Sequence, residues 1–196
     1  MTTSAADAAL DARREDPRYR RLMEATRAAA RNGYEAVSMR ELAETCRMSM
    51  TTIYQFCQSK DHLIAEAHLE DMEAFRQRLA ARPPKGANAE ERVARVMRSF
   101  ARALERDENL ARTLMRAMYS METGVGDVRA SVGDSYATMI DAAIGDEQIA
   151  NRAAVIATLG HVIDSVILGW LTRRHDTRWV RDELESAVHA LLGERD

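Results

Sequence analysis

The residues best suited to chemistry lie in one short run, Met50-Thr51-Thr52-Ile53-Tyr54-Gln55. Read as a short helix capped by Ser49, the run turns Ile53 and Cys57 inward and leaves Met50, Thr51, Thr52, Tyr54 and Gln55 on its outer faces. The two threonine hydroxyls can reach phosphates or base edges. Tyr54 can hydrogen-bond a phosphate, and Gln55 has the paired donor and acceptor that match adenine. Lys60 opens the next helix, where free N–H groups already favour an anion. This is chemistry for holding a polyanion, not for breaking bonds. The sequence has no Gly-rich phosphate loop, no His/Cys/carboxylate set at metal-ligand spacing and no G-x-S-x-G. Its five histidines (His62, His68, His161, His175, His189) are dispersed. No cofactor or metal is implied, and no enzyme.

A second short helix must stand beside that run. Ser38-Met39-Arg40-Glu41 has capping-box spacing, and Met39, Leu42, Ala43 and Cys46 fall at i, i+3, i+4 and i+7. Two short helices, Ser38–Cys46 and Ser49–Cys57, joined by a tight turn make a helix-turn-helix pattern, whose second member would enter a major groove. Spacing alone leaves that reading and an ordinary polar bundle face equally open. Around the pair, the pattern predicts a helix from Pro17 to Asn32 with Gly33 as a left-handed stop, and a long helix from Lys60 to Ala81 capped by Ser59. Pro83-Pro84-Lys85-Gly86 ends that helix. Five more segments follow: Glu90–Arg106, Glu108–Met121, Asp127–Ile144, Glu147–Arg174 and Trp179–Leu192. The expectation is an all-α chain of about nine helices with no strand-like alternation.

The 196 residues are 46% hydrophobic and 30% charged, values of a soluble globular protein. The first sixteen residues read as a mobile tail rather than a signal peptide. No uninterrupted apolar run approaches the roughly 20 residues of a membrane span, so no membrane partner is expected. Two cysteines, Cys46 and Cys57, cannot build a disulfide framework and fall on inward faces, which fits a reducing cytoplasm. The net charge of −3 conceals a polarity. From Arg18 to Lys60 there are eight basic and four acidic residues, Arg40 among the former, so this segment carries +4 and the rest −7. A basic module on an acidic body suits a DNA reader with a separate second function.

The run Gly33-Tyr34-Glu35-Ala36-Val37-Ser38-Met39-Arg40-Glu41-Leu42-Ala43-Glu44, followed by Ser49-Met50-Thr51-Thr52-Ile53-Tyr54-Gln55-Phe56-Cys57-Gln58-Ser59-Lys60-Asp61-His62-Leu63-Ile64, resembles the DNA-binding segment of the TetR family of repressors. The resemblance covers about Arg18 to Ile64. It implies that Ser38, Thr52, Tyr54 and Lys60 touch phosphates while Met50, Thr51 and Gln55 face bases, with Arg40 alongside. Three residues depart from the family pattern. Arg47 stands in the turn where glycine is usual, Cys57 replaces a phenylalanine beneath the recognition helix, and Thr51 replaces a frequent glycine. Further along, Arg112-Thr113-Leu114-Met115-Arg116-Ala117-Met118-Tyr119 and Leu168-Gly169-Trp170-Leu171-Thr172-Arg173-Arg174 resemble segments of the actinobacterial cholesterol-catabolism repressors within that family. That likeness implies release from DNA by a CoA thioester of a steroid intermediate; a fatty-acyl-CoA would suit the same residues.

With residues 1–17 as a flexible tail, the same resemblance implies that 18–64 are the DNA-binding domain and 65–196 a ligand-binding and dimerising domain. Met72, Phe75, Phe100, Leu104, Met115, Met118, Met121 and Met139 are apolar candidates for a pocket that reshapes around a hydrophobic effector, with His161 as a polar one. Taken singly, each is better explained as core. Within the apolar penultimate helix, His161 and Asp164 are i, i+3, and a satisfied buried pair is their simplest reading. Arg116, Arg173 and Arg174 could meet the phosphates of a CoA-like ligand. A helix apolar nearly all round must be covered on every side, which agrees with a homodimer formed through the last two helices. The expected function is a repressor on a near-palindromic operator. A DNA-binding activator of the same fold, or a ligand-binding helical protein with an inactive head, remain open alternatives.

Overall fold

The computed structural model describes residues 15–172 and 174–193. Among these every regular element is helical: α1 (Pro17–Ala30), a 3₁₀ turn (Tyr34–Ala36), α2 (Met39–Cys46), α3 (Met50–Phe56), α4 (Lys60–Ala81), α5 (Ala89–Arg106), α6 (Glu108–Met118), α7 (Val125–Ile144), α8 (Arg152–Leu171) and α9 (Thr177–Leu192). Residues 1–14 of the expected tail lie outside the described residues. Asp16 and Pro17 do not belong to a tail. The Asp16 carboxylate accepts the Arg18 N–H at 2.8 Å, and Pro17 takes the first helical position, where its missing N–H is no loss.

The fold divides into two compact units. Among the described residues, one comprises 15–68 together with Arg112–Arg129; the other comprises Leu69–Ala111, 130–172 and 174–193. Helices α4, α6 and α7 therefore contribute residues to both.

In the first unit, Tyr19, Leu22, Met23, Val37, Ile53, Leu63 and Ile64 are buried almost completely. Thr113 on α6 is buried with them and donates its hydroxyl at 3.1 Å to the Ala30 carbonyl, which also accepts the Gly33 N–H at 3.0 Å where α1 ends. Gly33 has φ 101° and ψ 168°, a positive-φ conformation suited to glycine but outside the left-handed helical stop expected of it. Gly124, at φ 88°, lies against the His62 ring, and a Cβ there would meet Nδ1 at 2.6 Å.

The second unit is built on α5, α8 and α9. Arg92 ties the end of α7 to α5: its guanidinium donates to the Ala143 and Ile144 carbonyls at 2.7 Å each and to Glu147 at 3.1 Å. The Glu147 carboxylate also accepts the Ala89 N–H at 2.7 Å, capping the start of α5. Glu147 itself lies before α8, which begins at Arg152, directly after Asn151 in the left-handed conformation (φ 53°), and not where its sequence pattern suggested.

Helix α8 buries Val155, Leu159, Ile163, Val166, Ile167 and Trp170 and packs along α9, with one face left uncovered within a single chain. Ala157, His161, Asp164 and Leu168 stand on an exposed face. His161 and Asp164 are thus not a buried pair. By length and composition alone α8 would suffice to cross a membrane, at mean hydropathy 1.7 over its most apolar window.

Candidate nucleic-acid interface

Helix α2 begins at Ser38, whose hydroxyl accepts the Glu41 N–H at 3.4 Å. It ends at Arg47, which holds φ 54° and ψ 47° and so reaches the left-handed turn with a full side chain, as its departure from glycine required. The Met48 N–H then returns to the Ala43 carbonyl at 2.9 Å and turns the chain towards α3.

Ser49 caps α3. Its hydroxyl accepts the Thr52 N–H at 3.0 Å and lies 2.8 Å from the Thr52 hydroxyl, so that side chain is oriented before any partner arrives. Under α3, Ile53, Phe56 and Cys57 are buried. Phe56 packs edge-on against Tyr19 with centroids 5.6 Å apart, beneath the Arg18 guanidinium. Phe56 was not among the inward residues read from sequence. It fills the ground beneath α3 beside the small Cys57, and its signal was the i, i+3, i+4 spacing of Ile53, Phe56 and Cys57. Both cysteines are buried, and burial pushes the Cys46 thiol pKa up.

The expected DNA-contacting residues of α3 differ in exposure. Thr51, Tyr54 and Gln55 are exposed, Tyr54 by 53%, while Met50 and Thr52 are half-buried. Arg40 on α2 is exposed and pairs with Glu44 at 3.2 Å. The outer and inner residues of α3 are cleanly segregated by chemistry.

At the start of α4 the Ser59 hydroxyl accepts the His62 N–H at 3.1 Å. His62 Nδ1 accepts the Gln58 N–H at 3.0 Å, which puts the ring proton on Nε2, 3.3 Å from Glu66; Tyr19 donates to the other Glu66 oxygen at 3.1 Å. This buried chain links the exit of α3 to α4 and α1, and sequence reading did not find it. Nor did it find Tyr34. That phenol donates to Asp61, and its ring centroid lies 3.9 Å from Lys60 Nζ and 3.8 Å from Arg116 Cζ.

The effector candidates are distributed unevenly. Met72, Phe75, Phe100, Leu104 and Met139 are buried in the second unit, where Phe100 meets Tyr136 edge-on. Met115 and Met118 are buried in the first. Met121 is 98% exposed just beyond α6, and His161 is exposed on α8, so neither lines an enclosed site. A surface groove of about 550 Å³ between α5 and α9 is lined by Glu90, Arg98, Glu185 and His189 among others and contains none of the candidates. Arg116 is engaged with Tyr34 and with Glu35, at 3.6 Å. Arg174 is exposed, and Arg173 lies outside the described residues.

Two capped helices in a tight turn, with a segregated polar outer face, define a helix-turn-helix protein. The model for bacterial regulatory proteins of the tetR family matches residues 22–67, and that for the tetracyclin repressor-like C-terminal domain matches residues 86–191. The chain is 31% identical to the HTH-type transcriptional repressor KstR of Rhodococcus jostii over 94% of its own length and 87% of the relative's. It belongs to the TetR family of transcriptional regulators, a family of regulators and not of enzymes. Among solved structures, a TetR regulator from Rhodococcus sp. RHA1 superposes with TM-score 0.77 at 19% identity, over 89% of this chain and 95% of that one. FadR of Bacillus subtilis, in complex with stearoyl-CoA, gives 0.67 at 17% identity, over 90% and 100%.

Proposed function

We propose that the protein is a transcriptional repressor that binds a near-palindromic operator as a homodimer and is released by a hydrophobic CoA thioester, fatty-acyl or steroid. The observation that carries the reading is the bipartition of α3, with Ile53 and Phe56 inside and Thr51, Tyr54 and Gln55 outside. Ser38, Thr52, Tyr54 and Lys60 position the head on phosphates; Met50, Thr51 and Gln55 face base edges. Similarity to the KstR repressors supports the sign of regulation, and the stearoyl-CoA held by a protein of the same fold supports the ligand class. Met72, Phe75, Phe100, Leu104 and Met139 supply adaptable apolar surface for the acyl or steroid part.

The exposed face of α8, with Ala157 and Leu168 beside His161 and Asp164, supports a partner chain there, and α9 accompanies it. Release is a population shift. The effector binds the DNA-incompetent arrangement more tightly, and DNA weakens effector binding by the same factor. Helix α4 is the natural carrier, being one unbroken helix that begins at Lys60 and belongs to both units.

Fluorescence anisotropy with duplex from upstream of the protein's own gene, against scrambled duplex across a salt series, tests this. Tight binding to the upstream duplex that stearoyl-CoA or a steroid-CoA reverses is the expected result. Equal, steeply salt-dependent binding to both duplexes would overturn sequence reading, and tighter binding with CoA ester would overturn release.

A further inference from the structure

Tyr34 holds three groups at once. It lies in the 3₁₀ turn between α1 and α2, entered through Gly33. Its hydroxyl donates to Asp61, and burial, then that hydrogen bond, push the phenol pKa up to about 12, so it stays a donor. Lys60 Nζ and Arg116 Cζ lie 3.9 and 3.8 Å from the ring centroid. On one face, two cations so close to the centroid would crowd each other within about 4 Å, a strong repulsion; on opposite faces, each meets the negative π surface separately. Arg116 is held by Glu35 at 3.6 Å. Asp61 fixes the ring to the first turn of α4, and Lys60 is the residue just before it.

A lysine side chain left in solvent samples many rotamers and loses that freedom when it meets a phosphate. A ring face under the ammonium removes much of the loss beforehand and leaves the ammonium N–H groups pointing away from the ring free to donate. We propose that Tyr34 is a positioning residue for DNA binding, which holds Lys60 ready for its phosphate, and that Arg116 of α6 braces the ring from the other side. This rests on the reading of Lys60 as a phosphate contact. It gives α6 a route to the DNA surface that touches no base.

The test is the salt dependence of binding by the full chain to the upstream duplex. Lys60→Gln should lower the slope of log K against log salt by about one per protomer. Tyr34→Leu should instead weaken binding several-fold at every salt concentration with the slope kept, because a freed Lys60 still reaches its phosphate but must be ordered there, and should weaken it no further in the Lys60→Gln background. Tyr34→Phe, which keeps the ring, should weaken binding less than Tyr34→Leu does. Arg116→Gln, a surface change that guards against a misfolded Tyr34→Leu, should weaken binding by less than Lys60→Gln does, and again not in the Lys60→Gln background. A purely structural Tyr34 would lower the melting temperature and weaken binding equally with and without Lys60, with additive effects in the double variant, which overturns the inference. Tighter binding by Tyr34→Leu would overturn it too, since the ring would then be sequestering Lys60. An unchanged slope in Lys60→Gln itself overturns the phosphate reading and this inference with it, an outcome distinct from failure at Tyr34 alone.

Discussion

Helices α3 and α8 make opposite use of their outer sides. The first is short, buries Ile53 and Phe56, and shows solvent hydroxyls and an amide. The second is 20 residues long, buries Val155, Leu159, Ile163, Val166, Ile167 and Trp170, and shows solvent alanine and leucine beside a histidine and an aspartate. Polar groups with defined donors and acceptors name the chemistry of their partner. Apolar groups name only that something covers them. For this reason α3 points to phosphates and base edges, whereas α8 needs a second chain as an additional premise.

The comparison can be broken at its floor first. Phe56→Ala removes the ring packed against Tyr19, and a buried aromatic truncated to alanine costs about 3–5 kcal/mol. Chemical denaturation should register that loss, and DNA binding should fall with it. If α3 needed no floor, stability would be unchanged.

His68 gives a pH-dependent effect nearly as large. It is buried, its Nε2 has no hydrogen-bond partner, and burial, then the charge of Arg27, hold its pKa down at about 4 against an ordinary 6.5. Above pH 6.5 both folded and unfolded chains carry it neutral, and it has no effect on the pH dependence. Between 6.5 and about 4 only the unfolded chain takes up the proton, so stability falls as pH falls, by on the order of 3 kcal/mol in all. His68→Leu should flatten this limb of the stability curve relative to the wild type; superimposable limbs would show that His68 titrates normally.

The α8 side is sharpened by Leu168→Glu. With a charge on the exposed face, the chain should sediment at half its mass and lose on the order of 100-fold in operator affinity, since two linked heads gain that much by avidity. Unchanged sedimentation would place the partner surface elsewhere. Gly124→Ala should do less, destabilising by about 1–2 kcal/mol from its positive φ alone, plus whatever the His62 ring must yield.

Local rules explain which parts were readable in advance. The bounds of α4, Lys60–Ala81, follow from the Ser59 cap and the Pro83-Pro84 stop, both adjacent in sequence. Arg47 in the left-handed turn was likewise foreseeable, because the family resemblance sets it where glycine is usual. Long-range partners decided the rest. Glu147 has helix-forming chemistry, but its carboxylate meets Ala89 and Arg92, more than fifty residues away, and α8 starts only after the left-handed Asn151. Met121 has the composition of a pocket residue, yet α6 ends at Met118 and leaves it in solvent. Tyr34 entered only as part of the family motif, and its meeting with Arg116, remote in sequence, was not readable. The exposure of Thr51, Tyr54 and Gln55 on α3 was legible because it follows from helical period alone; the buried His62–Glu66–Tyr19 chain was not, because its meaning lies in who meets whom.

The most direct test of the reading face is a comparison of Gln55→Ala with the wild type by anisotropy, on the upstream duplex and on versions substituted one base pair at a time. A bidentate contact to a base carries about 1–3 kcal/mol of discrimination. The account predicts that Gln55→Ala loses preference at a single base step, with the salt slope unchanged. Equal loss on every duplex, or a wild type with no preference to lose, would contradict the claim that α3 reads sequence.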